Sequence, residues 1–152
     1  MLVVPETWST LTEFVSWYIQ NNYPIRVPQS AVIFPTDVSY SCCVFRQDVY
    51  QVELYLARGN FTSSKHTHPF EQCIIYLGGQ MLGRRGNGDK SPPGHEICTP
   101  PNPHTELPNP SQGLVGSILP PTDWHEISGT NDQGFIFYNC QKWPNKEMMT
   151  SA

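Results

Sequence analysis

No apolar run in the 152 residues approaches the roughly 20 needed to cross a bilayer as a helix, so no membrane partner is expected. Met1 to Thr10 carries no basic region leading into an apolar stretch, so no secretory signal is read there. Basic charge is also scarce. Nine Lys and Arg against 13 Asp and Glu leave a net charge of −4, and no basic cluster exceeds the pair Arg84–Arg85. A nucleic-acid partner would need a surface that neutralises phosphates, so none is expected. Paired cysteine spacings are missing too. Cys42, Cys43, Cys73, Cys98 and Cys140 are odd in number, follow no repeat and form no CxxC, which argues against a disulfide framework or a structural zinc knuckle. Free thiols in a reducing cytoplasm are the expectation.

Charged residues make up only 14% of the chain, fewer than the exposed faces of a helical bundle usually carry. The 38% of hydrophobic residues is enough for one core, and the length suits one domain. Trp8, Leu11, Phe14, Val15, Tyr18 and Ile19 share one face of a 3.6-residue period. Thr10 and Glu13 suggest a capping box at the start of this helix, and Asn21, Asn22 and Pro24 a stop. The helix is expected to cover an open side of the domain or to pack on a partner subunit.

From Ala31 the pattern turns to β. Ala31–Phe34, Tyr40–Phe45, Val49–Ala57, Gln72–Tyr76, Leu114–Leu119 and Gly134–Cys140 are short and rich in Val, Ile, Tyr and Phe. Pro35–Asp37, Arg58–Asn60, Gly78-Gly79 and Gly129–Asn131 read as turns between them. Many short strands with such punctuation suggest an all-β sandwich or barrel. The Pro-rich stretch 84–113 breaks the rhythm and is read as an insertion that is either a lid or unstructured. The expected layout is a helix and arm over 1–30, a barrel over 31–143 and a tail over 144–152.

One segment carries chemistry. His66 and His68, at i and i+2 on an extended chain, point to the same side and suit one metal ion. Neutral imidazole is a good ligand for Zn, Fe, Ni and Cu. A polar donor follows at Glu71-Gln72, and His125 stands shortly after Pro120-Pro121. The run from Gly59 through His66, His68 and Gln72 to Gly78, with Gly116 to Ile127 as its later partner, resembles the two motifs of the cupin superfamily. The resemblance spans about Gln51 to Tyr138. It implies a single-domain cupin-type β-barrel, or jelly roll, with His66, His68 and His125 as ligands of one divalent ion (Zn, Ni, Mn or Fe). Two departures are visible. The Gly59 to His66 spacing is one residue longer than the motif, and Gln72 stands where the motif has a carboxylate, with Glu71 one residue early. Gln72 is favoured as the fourth ligand, with Glu71 turned outward or behind the site, because a one-residue step reverses facing along a strand.

That substitution has chemical weight. Three imidazoles and an amide leave the double charge of an ion uncompensated, which favours Lewis-acid chemistry over a ferric state. The leading expectation is therefore a metal-dependent isomerase, cyclase or lyase acting on a small oxygen-rich metabolite such as a sugar acid or a polyketide-like enol. A non-haem iron dioxygenase is the alternative if Glu71 is the ligand, and a non-catalytic sugar- or metabolite-binding module is the third reading. Tyr50, Glu53, Tyr55, Tyr76 and Asp123 are the acid–base candidates, and Arg58 and Trp124 are candidates for contact with substrate. His95 and His104 are read as solvated loop residues or as groups on a lid. A homodimer is expected from edge strands and an exposed N-terminal helix.

Overall fold

The computed structural model describes residues 3–21, 39–63, 66–79, 81–87, 95–96, 118–129 and 134–150. The strand expected at Ala31–Phe34, the turn at Pro35–Asp37, His104, Cys98 and most of Leu114–Leu119 lie outside them.

The first element is helix α1, Leu11–Gln20. Its start is the expected capping box. Thr10 Oγ1 accepts from the Glu13 N–H at 3.1 Å, while the Glu13 carboxylate reaches back to the Ser9 N–H at 3.1 Å. Asn21 closes the other end, its side-chain amide donating to the Trp17 carbonyl at 2.8 Å.

Six long strands and one short one follow among the described residues, in two sheets. Strands β1 (Tyr40–Gln47), β2 (Tyr50–Ala57), β3 (Glu71–Gly79) and β7 (Phe135–Lys142) form one antiparallel sheet in the order β1-β2-β7-β3. Strands β4 (Met81–Asn87), β5 (His95–Glu96) and β6 (Asp123–Gly129) form a second, in the order β5-β4-β6. The β1–β2 hairpin turns at Asp48, whose φ of 53° lies in the left-handed region that Asp tolerates better than most residues. The two sheets are stitched along one edge. The Thr62–Ser128, His66–His125 and Gln72–Leu119 bridges run the chain before and into β3 antiparallel to 119–128.

Alternation along the strands divides the four-stranded sheet into two buried faces. Val52, Cys73, Ile75, Leu77, Tyr138 and Cys140 face α1 and pack with Leu11, Phe14, Val15 and Tyr18. Ala57, Ile74, Phe135 and Phe137 face the other way and meet Ile127 of the second sheet. The helix thus covers its own sheet, and the expectation of a dimer loses the exposed helix as one of its supports. A short helix α2, Lys146–Thr150, lies where a tail was read; Met149 packs on Phe70 and Trp143.

Three sequence expectations change. Gly78-Gly79 is not a turn but the end of β3, paired with Ile136 and Phe135 after a bulge. Arg84 to Asn87 belongs to β4, and His95-Glu96 pairs back onto Arg85 and Arg84, so the insertion is structured at these points. Strand β6 was not expected at all, although it carries His125.

Candidate metal centre

Backbone pairing sets the site. His66 and His125 exchange both main-chain bonds, at 3.0 and 2.9 Å, which fixes the two residues side by side on adjoining strands. Their rings lie 4.2 Å apart between centroids, and that of His68 is 4.8 Å from His66 and 4.9 Å from His125. One ring nitrogen from each of the three histidines lies within 4.8 Å of the others. His68 is held from behind by Phe70, whose ring stacks on it at 4.7 Å with 7° between planes. Among the described residues, this is the one cluster of histidine, cysteine or acidic side chains suited to a metal ion.

Burial keeps the rings of His125 and His68 neutral. Desolvation, then the neighbouring histidines, pushes His125 down to about 3, with the backbone of Asp123 opposing weakly. Desolvation and then His66 push His68 down to about 4, against a smaller opposing influence from Glu53. A neutral imidazole keeps the lone pair that a metal needs. The same shifts make the metal-free protein sensitive to acid. Unfolded histidines protonate near 6.5, well above these folded values, so the unfolded state binds more protons between about pH 6.5 and 3. Stability is present above pH 6.5 and is lost as pH falls through this window. Thermal unfolding in chelator is expected to show a midpoint that drops from pH 7 to pH 4.5, with a shallower drop for His125→Gln. Equal slopes for the two proteins would refute a buried neutral His125.

Gln72 completes the cluster. It is fully buried, and its Nε2 stands 3.2 Å from His125 Nε2. Its Oε1 accepts from Asn139 Nδ2 at 3.3 Å, while Asn139 Oδ1 is buried without a partner. Side-chain amides differ little between their two orientations, so the network decides them. Turning both amides directs Gln72 Oε1 toward the histidines and gives the orphaned Asn139 Oδ1 a donor in Gln72 Nε2. The residues present therefore fit a metal ion held by His66, His68 and His125 with Gln72 oxygen facing it. Glu71, one step along β3, is on the opposite side of the sheet, where its charge acts on Tyr50.

A cavity of about 130 Å³ opens beside this cluster. Its wall includes the three histidines, Gln72 and Asn139, and beyond them Tyr55, Phe61, Ile127 and Phe137. Tyr55 is stacked on Phe137 at 4.9 Å with 3° between planes, and its hydroxyl donates to Glu53 Oε2 at 3.1 Å. Glu53 Oε1 accepts from Gln141 Nε2 at 2.8 Å and from Gln51 Nε2 at 3.2 Å. Gln51 Oε1 is in turn held by the Arg46 guanidinium at 2.8 and 2.6 Å, and Gln141 Oε1 by Trp143 Nε1 at 2.9 Å. Glu53 stands at the centre of this network as the acceptor for three donors, Tyr55, Gln51 and Gln141. Burial, then the charge of Glu53, raises Tyr55 far above its ordinary range, so its hydroxyl stays protonated.

The other candidates fall elsewhere. Tyr50 has the parity of Val52 and lies in the α1 face, where its hydroxyl donates to the Trp8 carbonyl at 2.7 Å. It is not at the metal cluster. Trp124 alternates with His125 and is buried on the other side of β6. Asp123 is buried on the His125 side but is not part of the cavity wall. Arg58 is exposed and is not part of the cavity wall, though its guanidinium is 5.9 Å from the centre of Phe61, which is. Tyr76 pairs with Phe137 in the sheet, and its side chain lies outside the described residues, as does that of His95. Sequence reasoning missed Asn139, Gln51 and Gln141. Their signal was the odd-numbered parity they share with Tyr55 and Phe137.

No protein-family model matches the chain, and no curated protein sequence does. Solved structures do. A cupin superfamily protein from Desulfitobacterium hafniense is 14% identical, with a TM-score of 0.50 over 79% of this chain and 90% of that one. CapF, solved with the inhibitor 3-isopropenyl-tropolone, is 12% identical with a TM-score of 0.51; the match covers 74% of this chain but only 30% of CapF. Likeness at such identities concerns the fold. Among the described residues no helix is long and apolar enough to cross a membrane. Two facing antiparallel sheets, three histidines brought to one point between them, and this overlap together establish that the chain has the cupin fold.

Proposed function

We propose that this protein is a divalent-metal enzyme performing non-redox chemistry, an isomerisation, cyclisation, ring opening or elimination, on a small molecule that presents oxygen to the metal. One observation carries the reading: the donors gathered at the cavity are neutral. His66, His68, His125 and Gln72 bring no negative charge, and Glu71 is on the far face of β3. When bound, an ion in such a set keeps its full double charge and supplies Lewis acidity toward a carbonyl, enol or water.

The chain's own residues supply the rest. Tyr55 and Glu53 form a proton relay at the cavity wall. Tyr55 is too weak an acid to act as a phenolate base, so its hydroxyl passes a proton to Glu53 only as it takes one from the substrate. Gln51 and Gln141 keep the Glu53 carboxylate turned toward that hydroxyl. Asn139 orients the Gln72 amide, as partners behind a metal ligand commonly do.

Elemental analysis of the purified protein beside Gln72→Ala and Glu71→Ala tests this. The expected result is zinc, nickel or manganese in the wild type, affinity lowered at least about tenfold in Gln72→Ala, and no change in Glu71→Ala. Iron that is lost chiefly with Glu71→Ala would replace this reading with a dioxygenase.

A further inference from the structure

Polar and apolar groups are segregated along the cavity rather than mixed. His125, Gln72 and Asn139 are joined by hydrogen bonds, and His66 and His68 close around them. Two residues further along each strand the character changes. Asn139 gives way to Phe137 on β7 and His125 to Ile127 on β6, a step of roughly 7 Å at the rise of an extended chain. Phe137 and Ile127 belong to one contiguous apolar cluster with Ala57, against which Tyr55 and Phe61 pack.

The three hydroxyls at this wall, those of Ser39, Tyr55 and Ser63, each make one hydrogen bond within the protein. Ser39 Oγ receives the Arg58 N–H at 3.0 Å, and Ser63 Oγ receives the Ile127 N–H at 2.8 Å. Tyr55 gives its only proton to Glu53 and so can only accept from a ligand, while its ring, stacked on Phe137, offers an aromatic surface. A chain bearing a hydroxyl on every carbon would set those groups against Phe61, Ile127 and Phe137 and forfeit their bonds to water. A ring or compact hydrocarbon would instead displace water from a surface that binds it poorly.

We infer that the ligand of this site is a compact molecule with an apolar, ring-bearing body and two adjacent oxygens at one end, and not a polyhydroxylated sugar acid. The inference rests on the metal-centre reading for the oxygen end and on the wall of the cavity for the body. The oxygens face His66, His68 and His125, and the body lies along Tyr55, Phe137 and Ile127.

A matched pair of probes separates the two parts. Mandelate and glycerate share an α-hydroxycarboxylate head, but one carries a phenyl ring and the other a hydroxymethyl group. Calorimetric titration of the zinc-loaded protein is expected to give mandelate an affinity at least about tenfold above that of glycerate. Phe61→Ser, a change at a half-exposed position outside the strands, is expected to bring the ratio toward one. Metal content is measured on the same sample. A zinc-loaded protein that binds glycerate as tightly as mandelate, or binds neither, overturns the apolar-bodied ligand while the metal centre stands. A protein that fails to retain zinc overturns the metal-centre reading, and the chelating end of the ligand with it.

Discussion

Replacing His125 with alanine is expected to strip the metal from the protein, lowering affinity by at least about a hundredfold while leaving the fold in place. The asymmetry follows from how the residue is held. Its backbone, not its side chain, makes the paired bonds to His66 that join the two sheets, and alanine keeps both of them. What disappears is a buried imidazole at the centre of the cluster, the ring nearest to His66 and the one in contact with Gln72. The two histidines left behind come from one short segment, 66–68, and cannot enclose an ion from both sheets. His66→Ala is expected to behave alike. Elemental analysis gives the direct readout. Thermal unfolding gives a second, because a metal that binds only the folded state raises the wild-type midpoint and leaves the variants unmoved. Full occupancy in either variant would remove the assignment of these histidines as ligands.

The legibility of this centre differed residue by residue. His66 and His68 announce themselves, since the period of a strand is two and an HxH pair on an extended chain must share a face. His125 lies 57 positions beyond His68, and only the resemblance to two cupin motifs connected it to them. Its strand, Asp123–Gly129, was not read because Asp-Trp-His-Glu-Ile-Ser-Gly alternates too little apolar character to signal one. The preference for Gln72 over Glu71 came from its place in the motif, with facing saying only that the two cannot share a site; the cavity lies on the side of Gln72. Gln51, Gln141 and Asn139 were not legible. In Tyr-Gln-Val-Glu-Leu-Tyr-Leu-Ala the polar residues at 51 and 53 alternate with apolar ones, which is the pattern of a sheet with one wet face. Here both faces are covered, one by α1 and the other by the second sheet, so a pattern that usually means solvent marks a buried hydrogen-bond network. The same parity separates Tyr50 from Tyr55. Sequence reasoning placed both at the site because it weighed residue type and strand membership before facing.

The two-sided burial of that sheet leads to the largest expected change in stability. Phe14 is fully buried at the middle of α1, with its ring centroid 4.7 Å from Trp8, 5.0 Å from Tyr50 and 5.7 Å from Phe45. Phe14→Ala is expected to cost about 3–5 kcal/mol, the sum of lost burial and the void left among rings that cannot collapse into it. For a domain of this size that is a fall of roughly 10 °C in Tm. Metal content below the transition is expected to be unchanged, because Phe14 meets the face of the sheet that carries Val52, Tyr138 and Cys140, whereas Gln72 and Asn139 project from the other. A calorimetric scan and an elemental assay on one preparation read both quantities. An unmoved Tm would show that α1 does not pack on this sheet. A lowered metal content at a temperature where the variant is folded would show that the two faces are mechanically linked, with the helix side holding the strands in the register that brings Gln72 to the histidines.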